Sequence, residues 1–355
     1  MNFLNDLVKE KPYNLKSHIK KKYFLPNLLK LLEHHKKKSK EFKKIINHFN
    51  HKYNKNTHIK DFPYIPVRIF KKFNLKSILD NQVHRILHSS GTTGNQVSKI
   101  SLDKKNSKDQ IDILTKLTSH IIGNKRLPML VIDKPISKSS NNKYSARMAG
   151  ITGFSIFGKD MTFALNEKMK INFNNLNNFL SKYKNHEMII FGFTSIIWSN
   201  FIKELVKRKT VLNLPKSIVI HGGGWKKLIN INVNNKIYKK FINKHLNSKK
   251  IINYYGMVEQ TGSIFFECEN GFFHTSNFND IIVRNKDLEV CKFNEKGFIQ
   301  LISLIPSSYP GNSILTEDLG QIFGEDDCKC GLYGKYFKVL GRIDNAELRG
   351  CSDLY

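Results

Sequence analysis

Several short stretches hold residue types that can do chemistry. In LHSSGTTGNQV, Leu87 to Val97, the run Ser89, Ser90, Gly91, Thr92, Thr93, Gly94 offers nothing but hydroxyls and bare backbone. A phosphate-binding loop turns several backbone N–H groups into one concavity that bulky side chains would block, and this run meets that condition. It is not the P-loop of NTPases, because Asn95 and Gln96 follow Gly94 where Lys and Ser or Thr would stand. Taken alone, such a run is as often an ordinary tight turn. HGGGWK, His221 to Lys226, follows the apolar SIVI, and Gly222, Gly223 and Gly224 let the backbone lie flat against a planar ring. YYGMVEQTG, Tyr254 to Gly262, supplies an aromatic face at Tyr255, then Gly256, then a carboxylate at Glu259. TEDLG, Thr316 to Gly320, and GRIDNAELRG, Gly341 to Gly350, bring Asp318 and Arg342 next to turn glycines.

The cysteines form a second group. ECENGFFH carries Cys268 and His274 in an expected hairpin, DCKCG carries Cys328 and Cys330, and Cys351 stands near the end in LRGCSDLY. Three thiols and an imidazole from separate turns suit a closed, four-coordinate structural Zn²⁺ site; the bland alternative is reduced cysteine filling space. Five cysteines, an odd number, argue against a disulfide framework. Cys291, in DLEVCKF, is expected in the core.

Elements must hold these residues in place. A chain of 355 residues with 40% hydrophobic composition can bury a large core. Short apolar runs at Val83–Leu87, Met129–Ile132, Met188–Phe193, Ile218–Ile220 and Ile251–Tyr254 alternate with helical patterns at Lys108–Ile122, Leu176–Tyr183, Ile196–Lys207 and Trp225–Leu246. That alternation predicts an α/β fold with doubly wound, mostly parallel sheet. A smaller antiparallel β unit is expected past Phe265, helices over Leu25 to Tyr53, and an extended segment over Asp61 to Phe73, where Pro63 and Pro66 stand. The expected divisions are 1–75, 76–265 and 266–355.

The net charge of +30 invites a polyanion, yet only eight of the 59 basic residues are Arg, and Lys is spread along the whole chain. No specific nucleic-acid site is expected. The densest run, His34 to Lys44, reads as the wet face of a helix. No stretch reaches the ~20 apolar residues of a membrane span, and the start lacks a signal core, so a cytoplasmic protein is expected.

Taken in order, the loop, GGGWK, the YYGMVEQTG turn, TEDLG and the GRIDNAELRG stretch resemble the motif series of the adenylate-forming superfamily of acyl-CoA ligases and luciferases. PYIPVRIFK, FGFT at Phe191 to Thr194 and the ending AELRGCSD resemble, more narrowly, the acyl-protein synthetases of bacterial luminescence operons. The phenylacetate-CoA ligases are similar over the same core and share a C-x5-H with C-x-C pattern.

The resemblance implies ATP as co-substrate. Ser89 to Gly94 would hold its phosphates, Glu259 would hold Mg²⁺, and Gly222 to Gly224 with Tyr255 and Gly256 would line the adenine. Asp318 would take the ribose hydroxyls, Arg342 the ribose or phosphate side, and Phe191 to Thr194 the acid. Larger relatives continue into a mobile lid that supplies a lysine; here it is expected to be absent. Cys351 would then accept the acyl group as a thiolate nucleophile, and an acyl-reductase or acyltransferase would take it onward. The rivals are a CoA or carrier-protein ligase with a separate lid and a non-catalytic nucleotide-binding scaffold.

Overall fold

A computed structural model of the chain describes residues 3–48, 53, 57–89, 97–136, 146–224, 228 and 233–342. They fall into two compact units, one holding the described residues up to 89, 97–120 and 256–342, the other those of 121–255.

The second unit is built on parallel strands in the order Gly158–Phe163, Leu127–Ile132, Met188–Phe193, Ser217–Gly222, Lys250–Tyr255. Every residue of the three central strands is buried, the pattern of parallel strands covered on both faces. The asparagine-rich composition does local work on the covering helices. Asn172 accepts from the Asn175 N–H to cap Phe173–Tyr183, and Asn234 accepts from the Ile237 N–H to cap Asn235–Leu246. Asn247 closes the latter in the left-handed region at φ 54°. The helix expected over Ile196–Lys207 starts at Thr194, directly off the strand Met188–Phe193, and is π-helical over Ile197–Ile202. The start of the helix expected at Trp225 lies outside the described residues.

In the first unit the antiparallel strands run Phe273–His274, Lys335–Arg342, Ser313–Glu325, Lys296–Ser303, Asn279–Arg284. The proline segment adds Ile65–Pro66 in parallel to Ser313–Glu325. It is extended only that far: Ile69–Lys72 forms a short helix, because Pro66 restrains itself and the residue before it, not those after. The helix expected from Leu25 begins at Ser17 and runs through Pro26 to Lys38. Its buried stripe of Phe24, Leu28, Leu31, Leu32 and His35 outweighs the proline. Lys37, Lys38, Lys40, Lys43 and Lys44 are exposed, as a wet face requires. Cys291 is only partly buried, in an irregular stretch after Arg284 rather than in the core. No helix among the described residues is long and apolar enough to cross a membrane.

Candidate functional site

The hydroxyl-rich loop hangs from an antiparallel pair, Arg85–His88 with Lys99–Leu102. Ser89 closes its base twice: its N–H donates to the Ser98 carbonyl (3.1 Å), and its Oγ accepts from the Ser98 N–H (2.9 Å). Ser90, Gly91, Thr92, Thr93 and Gly94 lie outside the described residues.

Glu259 stands beside that base, in a single 3-10 turn, Val258–Gln260. It is 6% exposed, and burial pushes its carboxyl above the usual range. The Ser98 hydroxyl opposes that shift without reaching full hydrogen-bond geometry, and the Glu259 N–H, Arg342 and Lys71 oppose it further. The turn is pinned from below. Gln260 Nε2 donates to the carbonyls of Leu301 (3.2 Å) and Gly311 (2.9 Å), and the Thr261 N–H donates to the Tyr309 hydroxyl (3.2 Å). Position 311 takes only glycine, since a Cβ there would stand 2.3 Å from the Tyr309 ring and 2.9 Å from the Glu259 carbonyl. Gly256, before the turn, backs onto Ile264 and Ser263.

Asp318 and Arg342 face each other across adjacent antiparallel strands, and Arg342 Nε donates to Asp318 Oδ1 (2.9 Å). The Asp318 N–H donates to Thr316 Oγ1 (3.1 Å), which fixes the bulged strand at that point. Two charged neighbours had no signal in the motif reading. Glu317 lies with Oε2 3.7 Å from Arg342 Nη1, and Arg68 Nε donates to Glu317 Oε1. Glu259, Ser89, Asp318 and Arg342 all belong to the first unit.

The remaining candidate residues belong to the second unit. Gly222 ends a buried strand, and a Cβ there would fall 2.5 Å from the Tyr254 ring. The ring lying flat against this glycine is therefore the chain's own. Gly223 (φ 93°) and Gly224 (φ 77°) turn the chain in the region that favours glycine. Phe191 packs with Phe154, Phe193 and Tyr254, the Phe154 and Phe191 rings being 4.7 Å apart. The Thr194 hydroxyl donates to the Gly222 carbonyl (2.9 Å) and lies 3.0 Å from His221 Nδ1. Tyr255 is half-buried at the end of the neighbouring strand.

Cys268, His274, Cys328 and Cys330 do meet: their ligand atoms lie within 4.8 Å of one another. Cys330 Sγ is 3.4 Å from Cys328 Sγ and 3.3 Å from His274 Nε2. A tetrahedron with Zn–S of about 2.3 Å and Zn–N of about 2.0–2.1 Å has edges of about 3.5–3.8 Å, so three thiols and an imidazole fit the ion. Burial pushes the Cys330 thiol up to about 12, raises Cys268, and holds His274 down to about 4. Burial thus disfavours the charged forms of Cys268, His274 and Cys330. Cys351 lies outside the described residues.

The family model described as acyl-protein synthetase, LuxE, matches residues 2–355. Among solved structures, 2-hydroxyisobutyryl-CoA ligase in an open conformation with 2-HIB-AMP and CoA is similar, with TM-score 0.72 at 11% identity over 94% of this chain and 77% of that one. The same enzyme in a postadenylation state with 2-HIB-AMP gives TM-score 0.72 at 11% identity, over 94% and 70%. Apo MatB from Rhodopseudomonas palustris gives 0.50 at 13% identity, over 76% and 49%. These likenesses establish an adenylate-forming ligase fold of the α/β class. No curated protein sequence matches.

Proposed function

The chain belongs to the acyl-protein synthetase, LuxE, family, and from that premise we propose that it activates a carboxylic acid of the fatty class with ATP and passes the acyl group to the thiol of Cys351. One observation carries the reading. The base of the hydroxyl-rich loop, the buried carboxyl of Glu259 and the charge of Arg342, itself paired with Asp318, come together within one compact unit.

In this reading the acid's carboxylate oxygen attacks the α-phosphorus and pyrophosphate leaves, a step that depends on positioning and charge neutralisation. Ser89 to Gly94 hold the departing phosphates, while Arg342 offsets negative charge and Asp318 receives the ribose hydroxyls. Gly223, Gly224, Tyr255 and Gly256 serve the adenine, with Gly222 instead making room for the chain's own Tyr254 ring, and Phe191 to Thr194 serve the acid. Glu259 is an oxygen donor suited to Mg²⁺, which would hold its burial-raised carboxyl ionised and neutralise phosphate charge. Cys268, His274, Cys328 and Cys330 would hold a structural Zn²⁺. The Cys351 thiolate then attacks the acyl carbonyl and AMP leaves, readying the acyl group for a reductase or acyltransferase.

The test is acid-dependent ATP–pyrophosphate exchange over a panel of carboxylates, with intact-mass analysis of wild type and Cys351→Ala. The expected result is exchange in both proteins and an acyl adduct in the wild type alone. Acyl-CoA formation with added CoA and no adduct would instead make the chain a CoA ligase. Nucleotide binding without exchange would leave a scaffold.

A further inference from the structure

The proline-marked segment touches the charged network at two separate points. Its backbone is fixed first: Ile65 and Pro66 pair with Ile314 and Leu315, and the Val67 N–H donates to the Leu315 carbonyl (2.9 Å). Buried Phe70 meets the Tyr309 ring edge-on at 6.1 Å, and the Tyr309 hydroxyl accepts from Thr261, two residues past Glu259. The backbone thus delivers Arg68 to a set place whatever its side chain does. There Arg68 engages Glu317 Oε1, while Arg342 Nη1 stays 3.7 Å from Oε2, too far for a hydrogen bond, and Arg342 Nε bonds Asp318.

We propose that Arg68 is a positioning residue for the nucleotide site: by occupying one oxygen of Glu317 it keeps Arg342 turned onto Asp318. The inference rests on the adenylating function proposed above. A carboxylate with both oxygens open draws a guanidinium into a two-bond fork, and so competes with Asp318 for Arg342. Without Arg68, Glu317 draws Arg342 away, and Asp318 loses the Nε–H that reaches its Oδ1. Glu317 is 11% exposed and cannot simply turn to water, whereas Arg68 is 53% exposed, so its truncation leaves no buried hole.

The experiment measures AMP affinity by calorimetry and ATP–pyrophosphate exchange kinetics for wild type, R68A, R68K, E317Q and the R68A/E317Q double variant. In R68A, the AMP Kd and the KM for ATP rise about tenfold while kcat stays within about twofold. R68K, which can still hold one carboxylate oxygen, recovers to within about threefold of wild type. Because Arg68 acts through Glu317, adding R68A to E317Q costs less than about twofold more. A wild type that binds AMP while R68A matches it within twofold overturns the positioning role alone, as does full additivity of the two changes. A fall in kcat with KM unchanged would put Arg68 at the reacting atoms and also overturn it. A wild type that neither binds AMP nor supports exchange overturns the adenylating function as well.

Discussion

In the second unit the candidate residues are glycines and rings at the ends of buried parallel strands, and their constraint is steric: the Tyr254 ring leaves no room for a Cβ at Gly222. In the first unit they are carboxylates, guanidinium groups and thiols on an antiparallel framework, and their constraint is electrostatic. Burial raises the Glu259 carboxyl and the thiols of Cys268 and Cys330, so each group has its charged form disfavoured. Glycine at 222 lets the chain's own Tyr254 ring lie close, whereas the buried acids and thiols of the first unit are groups whose charged forms burial disfavours.

The sharpest way to break that contrast is to remove a thiol. Cys328→Ser is expected to abolish binding of about one zinc per chain and to lower Tm by about 10 °C or more, since metal binding to a folded site is folding free energy. Metal analysis and a thermal melt check this. Wild-type protein stripped of zinc that melts like the zinc-loaded protein would remove the metal from the first unit's stability.

Glu259→Gln comes next. It keeps the shape and removes the charge, so exchange kcat is expected to fall about 10²–10³-fold while zinc content and Tm are retained. Exchange kinetics with metal analysis on the same sample separate the two clusters. Retained exchange would reduce Glu259 to a structural residue.

How much of this was legible differs between the units for a physical reason. The glycines and hydroxyls of SSGTTG and HGGGWK stand out because backbone approach demands consecutive small residues, and C-x5-H with C-x-C stands out because thiols are scarce. The strands at Met188–Phe193 and Ser217–Gly222 were readable from unbroken apolar runs. The helix Ala146–Ser155 was not: it carries two glycines, and Gly150 is there because a Cβ would stand 3.0 Å from the Phe193 ring. The strand Gly158–Phe163 is largely exposed and shows no apolar run. Arg68 and Glu317 are 249 residues apart, and nothing local marks either as the other's partner. His35 sits inside a lysine-rich run yet is 1% exposed, with Nδ1 2.7 Å from Ser77 Oγ.

That buried ring gives the smallest effect and compares the units directly. Burial first, then neighbouring His34, holds His35 down to about 3. Burial first, then Lys239, does the same to His221 in the second unit. Both rings stay neutral in the fold, while in the unfolded chain each takes a proton near pH 6.5. Between about pH 3 and 6.5 the unfolded state therefore binds more protons, so stability is full above 6.5 and falls as pH drops. Each ring is expected to contribute a loss of about 2 kcal/mol at pH 5 relative to pH 7. His35→Asn, which keeps a neutral partner for Ser77, is expected to shrink the pH 7 to pH 5 difference in urea-denaturation free energy by that amount. His221→Asn should do so equally if the interiors of the two units are alike. A difference unchanged in both variants would mean that both rings protonate within the fold. A change confined to one would show that the parallel-sheet and antiparallel units exclude water to different degrees.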